Sequence, residues 1–321
     1  MIINFVGNFN NGYVGELGDA NHLVKSLEEL GHTVHKIPQD VWKAICDFEW
    51  QDSWSQHLPK KADINIICKW HHFNEDKYID TLRKDSGAPV FYWVWDFMQN
   101  EDWHLRMVKA SDLYLGNDVR SGEYPVYLKD KLYYFPFDVA DGDIPQIFLP
   151  KDIDVAFFGS WIGQGDRQEW LKEINKTTPI TAFSWNHQDW PAPFHAEPAV
   201  YGEEFNRMVA RTKIVLGFSV EPSTWGYWSN RVGKVLLAGG FLLYQYAPGM
   251  ELFLRDGAEY FSTIEEAQEK IDHYLIAETE RNTIAQKGFK IADERFSSKA
   301  RVKDLTILIE RYLKTHEGWK Y

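Results

Sequence analysis

The chain has few cysteines, no long apolar run and a shortage of positive charge. Its two cysteines, Cys46 and Cys68, are too few for a disulfide framework, and their spacing matches no metal motif. A small disulfide scaffold is therefore excluded, and a reducing, cytoplasmic compartment is expected. No stretch approaches the ~20 apolar residues of a membrane span. The first residues lack a basic stretch, apolar run and cleavage site, so no signal peptide is expected. The net charge of −12 and the pI near 5.4 weigh against broad non-specific binding to nucleic acid or anionic membrane. The Gly-x-Gly-x-x-Gly dinucleotide fingerprint and the Walker-type phosphate loop are both missing.

What is present is the composition of a globular protein, 44% hydrophobic and 26% charged over 321 residues. That length suits two domains of roughly 150 residues each. The unusual component is aromatic, at 16% of residues with 14 Trp. An indole N–H needs a partner when it is buried. Most of these rings are expected in packing and some along a groove, where sugars and nucleobases stack.

Ile2-Ile3-Asn4-Phe5-Val6-Gly7 reads as a buried strand. A loop rich in Asn and Gly follows over 8–18. Ala20, Leu23, Val24, Leu27 and Leu30 then fall at helical spacing, closed by Gly31. Residues 33–37 make the next strand. This βαβ start implies a parallel sheet. Further strands are expected at 64–68, 90–95 and 113–115, helices at 77–84 and 103–110, and a strand or two within 126–135. The stretch 138–152, with Gly142, Pro145 and Pro150, has turn chemistry and reads as a linker. A second α/β block follows. Its strands are expected at 155–159, 180–183, 214–218 and 241–244, and its helices at 167–174, 205–211, 230–238, 265–275, 277–289 and 298–313. The domains divide near residue 148.

In open α/β sheets ligands bind beyond the carboxyl ends of the strands, so the residues just after each strand are the candidates. In the first half these are the loop through Gly12, Gly15 and Glu16, the pair His71-His72, and Asp96 after Tyr92-Trp93-Val94-Trp95. Asp96 is either a helix N-cap or a base facing the ligand. In the second half Gly159-Ser160-Trp161 precedes Arg167, and small residues with free N–H groups at a helix start suit phosphate. Trp185 follows the next strand and either stacks a nucleobase or packs.

The most informative stretch runs from Trp228 to Leu243. Ser229 or Asn230 can cap the helix, whose start has free N–H groups and a positive dipole end. Arg231 and Lys234, three apart, share one face. Together these describe a diphosphate site; the alternative is a basic exposed helix turn. This Ser-Asn-Arg helix, Gly239-Gly240 with its apolar strand, and Pro248-Gly249-Met250-Glu251-Leu252-Phe253 resemble the C-terminal domain of CgeB-like glycosyltransferases. Tyr260-Phe261 and Arg295-Phe296 extend the likeness, which spans roughly residues 154–313.

The resemblance implies the GT-B fold, an α/β architecture of two Rossmann-like domains with parallel sheets facing across a cleft. The acceptor domain would be 1–148, joined by the C-terminal helix 298–321, and the donor domain 149–297. The implied reaction is sugar transfer from a nucleotide sugar, expected to be a UDP-sugar, to an acceptor hydroxyl, with no bound cofactor and no metal. Gly159, Ser160, Arg167, Ser229, Asn230, Arg231 and Lys234 are expected to hold the diphosphate. Trp185, Gly249 and Glu251 are expected at the nucleoside or sugar, and Asp96, then Glu16 and His71, are the candidate bases. Many relatives have Glu where Lys234 stands, which leaves the nucleotide open. The acceptor is a glycan, a protein, a metabolite or a hydroxymethylated base in viral DNA. The rival functions are a non-catalytic sugar-nucleotide-binding protein and a sugar-nucleotide epimerase.

Overall fold

The computed structural model describes residues 1–9, 20–47, 52–68, 75–94, 102–119, 124–136, 149–161 and 167–316. The chain divides into two compact units, Met1–Ala140 with Ser298–Tyr321, and Asp141–Ser297. No helix among the described residues is long and apolar enough to cross a membrane.

The first unit runs β1 (Ile2–Gly7), α1 (Ala20–Glu29), β2 (Thr33–Pro38), α2 (Gln39–Cys46), β3 (Ile64–Cys68), α3 (Lys77–Ser86), β4 (Val90–Val94), α4 (Asp102–Ala110), β5 (Leu113–Gly116) and β6 (Leu132–Tyr134). Its six strands are all parallel, in the order β2-β1-β3-β4-β5-β6. Alternate residues of a strand point to opposite faces, and here both faces are covered. Phe91 and Trp93 of β4 pack with α1 and with Val302, Leu305 and Ile309 of the C-terminal helix, Ser298–Thr315. Val90, Tyr92 and Val94 pack toward Trp42, Tyr78, Leu82 and Met107. Double coverage is why the inner strands are largely apolar; the exceptions, Asn4 of β1 and Asn65 of β3, are buried and paired, Asn4 Nδ2 donating to Asn65 Oδ1 (2.9 Å).

Two elements go beyond the sequence expectation. The strand expected within 126–135 is β6, Leu132–Tyr134, and residues 126–131 before it form a 3-10 helix after Pro125 at φ −54°. The strand-like Val126 and Tyr127 are 74% and 67% exposed, so their pattern carries no buried face. Helix α2 is short, and its apolar side, Trp42 and Cys46, shows only once β1 and α3 are in place.

The second unit runs β7 (Ile153–Phe158), α5 (Arg167–Thr177), β8 (Thr181–Ser184), β9 (His195–Pro198), α6 (Gly202–Arg211), β10 (Thr212–Gly217), α7 (Arg231–Leu237), β11 (Leu242–Gln245), α8 (Met250–Leu254), β12 (Glu259–Phe261), α9 (Ile264–Ile276) and α10 (Glu278–Arg295). The sheet is again parallel and six-stranded, in the order β12-β11-β10-β7-β8-β9. Val155, Phe157, Ile214, Leu216 and Leu243 form its core with Leu171, Ile174, Ala267 and Ile271. The sequence reading missed the edge strand β9, whose His-Ala-Glu-Pro has no apolar run. An edge position tolerates both the charge and the proline.

At the foot of β7, Lys151 donates to the carbonyls of Ala210 (3.1 Å) and Thr212 (2.8 Å). Burial and the nearby Arg281 charge push its pKa down to about 8. Because the folded pKa lies below that of an unfolded lysine, near 10.4, Lys151 favours folding most above that upper value. The contribution is lost as pH falls through about 8. Between pH 7.5 and 9.5 the urea midpoint of the native protein should therefore rise relative to that of Lys151→Met. Parallel midpoints across that range would refute this.

Candidate functional site

In the second unit β7 has β8 on one side and β10 on the other. The chain winds outward from β7 through β8 to β9, then returns to β10 and winds the opposite way. The segments after β7 and β10 therefore diverge and open a crevice at the carboxyl end of the sheet, the general ligand position of such folds.

Gly159 directly follows β7 and puts its N–H on the Phe183 carbonyl (3.0 Å). A Cβ there would stand 2.7 Å from the tip of the Phe157 ring, so any side chain would have to displace that ring. The Ser160 carbonyl accepts from Nη2 of Arg167 (3.1 Å), the first residue of α5. Arg167 is 9% exposed, and its guanidinium lies over the Phe157 ring at 5.8 Å. Burial depresses its pKa first and the charge of Arg231 second, while Tyr244 acts in the opposite sense.

Arg231 arrives from the other side of the crevice, at the start of α7. The Ser229 hydroxyl accepts from the Arg231 backbone N–H (3.3 Å) and from its Nη1 (3.4 Å), so Ser229 caps the helix. Asn230 makes no side-chain cap bond; its carbonyl accepts from the Lys234 N–H (3.2 Å). Lys234 stands one turn on, half-buried. Tyr244, at the end of β11, receives the Ser229 N–H on its hydroxyl (3.4 Å). Burial pushes Tyr244 up to about 12, against the pull of the Ser229 N–H, Arg231 and Arg167. The Tyr244 ring fills the space where Gly217, the last residue of β10, would carry a Cβ. Three strand ends thus bring together two guanidiniums, a serine hydroxyl and a buried phenol. Holding two cations near each other is unfavourable unless an anion joins them.

The neighbouring loops complete the rim. After β8, Trp185 is 65% exposed, and Asn186 behind it is 6% exposed. Asn186 Oδ1 accepts from the Trp161 N–H (3.1 Å) and the Ser184 hydroxyl (2.6 Å). Asn186 Nδ2, His187 Nδ1 and Trp190 Nε1 are buried without a hydrogen-bond partner. A buried donor with no acceptor costs roughly 1–3 kcal/mol. After β11, Gly249 adopts φ 93° with Trp225 Cε2 2.7 Å from where a Cβ would be. Its N–H donates to the Glu251 carboxylate (3.1 Å), so Glu251 also fastens this turn.

Of the residues singled out in the sequence, Gly159, Ser160, Arg167, Ser229 and Arg231 meet in one place. Trp185 lies at the adjacent strand end, and Gly249 and Glu251 at the end of β11. Asp96, Glu16 and His71 lie outside the described residues. Sequence reading missed Tyr244, near the end of β11, and Asn186, two residues past β8; their position at strand ends was the available signal. Among the described residues no group of three or more His, Cys, Asp or Glu side chains gathers as metal ligands would.

Several solved structures share this architecture over nearly their whole length. Sucrose-phosphate synthase from Thermosynechococcus elongatus is 9% identical with a TM-score of 0.66, covering 98% of this chain and 99% of its own. Anabaena Alr3699/HepE in complex with UDP and glucose is 13% identical with a TM-score of 0.64, covering 97% and 100%. An alpha-glucosyltransferase in complex with UDP and a 13-mer DNA containing a HMU base is 11% identical with a TM-score of 0.65, covering 97% and 99%. The protein has the GT-B fold. Residues 159–306 match the family described as glycosyl transferase-like, so the chain carries a glycosyl transferase-like domain across most of the second unit and the start of the C-terminal helix. No curated protein matches the sequence.

Proposed function

We propose that the protein transfers a sugar from a nucleoside diphosphate sugar, a UDP-sugar, to an acceptor hydroxyl without a bound metal. The observation that carries this reading is that Arg167, bonded to the Ser160 carbonyl after β7, and Arg231, bonded to Ser229 at the start of α7, feel each other's charge and that of Tyr244 at the switch point of the second sheet. Two relatives of the same fold have structures that hold UDP, one with glucose and one with DNA.

In the transfer, the bond from the anomeric carbon to the diphosphate oxygen breaks and its electron pair stays on the diphosphate. Arg167 and Arg231 meet that growing charge, and Lys234 adds a third cation. Fixed charges aimed at the site of charge development are an effective form of stabilisation. The acceptor oxygen forms the new bond to the anomeric carbon, and its proton passes to a base when the reaction inverts that centre. Asp96 is our first choice for that base, with Glu16 and His71 next. The acceptor is any compound presenting a suitable hydroxyl: a glycan, a protein, a metabolite, or a hydroxymethylated base in DNA.

Thermal denaturation with added nucleotide tests the reading. UDP at 100 times its dissociation constant should stabilise the fold by about 2.7 kcal/mol. The absence of any shift with UDP, its sugars or the other nucleoside diphosphates would overturn it.

A further inference from the structure

The turn after β8 places an exposed aromatic ring beside buried donors that have no acceptor. Trp185 turns most of its surface to solvent. The next residues make a 3-10 turn, His187–Asp189, closed by the Asp189 N–H on the Asn186 carbonyl (3.0 Å) and the Trp190 N–H on the His187 carbonyl (3.3 Å). The turn is tied to the segment after β7, because the Trp161 and Trp190 rings lie 4.9 Å apart and the Trp161 N–H donates to Asn186 Oδ1.

That last bond fixes the orientation of the Asn186 amide. A backbone N–H only donates, so the atom facing it is the oxygen, and the Ser184 hydroxyl donates to the same oxygen. Nδ2 is left as a buried donor with no acceptor. Trp190 Nε1 is a second, since an indole N–H can only donate. His187 Nδ1 is a third in the tautomer that protonates it. Native proteins rarely leave such groups unpaired, and each exception calls for a physical reason.

We propose that the turn Asn186–Trp190, with the face of Trp185, reads the base of the nucleotide, selecting one that presents carbonyl oxygens on its edge over one that presents an amino group. This rests on the nucleotide site proposed above. A pyrimidine with a carbonyl at position 4 offers an acceptor where cytosine offers an amino donor. Set against Asn186 Nδ2 and Trp190 Nε1, the first completes hydrogen bonds and the second puts donor against donor in a buried place. Discrimination of this kind depends on the site's own polar groups being left unpaired by the wrong ligand. The Trp185 ring would supply stacking, which every base accepts, and so affinity without selection.

The test is calorimetric binding of UDP and CDP to the full chain and to two variants. Asn186→Asp keeps an oxygen for the Trp161 N–H and the Ser184 hydroxyl but replaces the Nδ2 donor with an acceptor. Trp190→Phe keeps an aromatic ring and removes the indole donor. The native protein should prefer UDP to CDP by at least about tenfold, since one well-made polar contact is worth that much. Asn186→Asp should bring that ratio to near one or invert it, and Trp190→Phe should reduce it. If either folded variant weakens UDP and CDP by the same factor, or leaves both unchanged, the turn is structural and the proposal falls. If the native protein binds UDP and CDP equally, the proposal falls while the nucleotide site stands. If it binds no nucleoside diphosphate, the site itself falls and takes the proposal with it.

Discussion

Replacing Arg231 with alanine is expected to lower kcat/KM for UDP-sugar turnover by about 10²–10³-fold, the range seen when one fixed donor to a developing negative charge is removed. Arg231 is half-buried and held by the Ser229 hydroxyl, so truncation removes a charge that is already positioned. It also leaves Arg167 as the remaining guanidinium of the pair. Arg231→Lys should recover part of the loss, because an ammonium keeps the charge but lacks the planar fork that grips two phosphate oxygens. Initial rates of donor turnover, with hydrolysis to water included, measure both variants. An unchanged rate for Arg231→Ala in a folded protein would remove Arg231 from the site.

The largest effect on stability is expected at Gly288. Helix α10 comes against α7 and the turn before β12 at this residue. A Cβ on Gly288 would fall against the Gly257 carbonyl oxygen and 2.7 Å from Leu236 Cδ2. The same contact seen from Gly257 would bring its Cβ to 2.7 Å from the Gly288 Cα. Because backbone stands on one side, no side-chain rotation relieves the overlap. Gly288→Ala should then cost about 3 kcal/mol, the upper part of the usual range for overpacking. For a domain of this size that corresponds to a fall in Tm of roughly 6–12 °C. The effect should reach ligand binding, since Leu236 belongs to the helix that begins with Arg231. A melting temperature within 2 °C of the native value by calorimetry would show that the helix shifts without cost.

The elements were legible where local pattern and tertiary packing agree. Strands β1, β3 and β7 are covered on both faces, so a mostly apolar run, broken in each by a single Asn or Asp, sufficed to find them. Helix α1 has its buried residues at helical spacing, and Gly31 follows it at φ 85°. The pattern placed β6 only within a wider range, because Val126 and Tyr127 ahead of it are apolar yet exposed, and it was silent where an edge strand carries charge, as at His195–Pro198.

The sequence by itself determined the class of architecture. Strand and helix alternate through the chain, connections of that length carry a strand to a parallel neighbour, and doubly covered strands are predominantly apolar. It also marked Ser229, Arg231 and Gly159 as residues at strand and helix ends. Only the tertiary structure decided which of those ends meet. Arg167, Arg231 and Tyr244 come from segments far apart in the chain, and they converge because β7 lies between β8 and β10 and β11 follows β10 outward. Strand order depends on long-range pairing, which leaves no trace in local periodicity. The gathering of two arginines within electrostatic reach of a buried tyrosine was therefore decided by the fold.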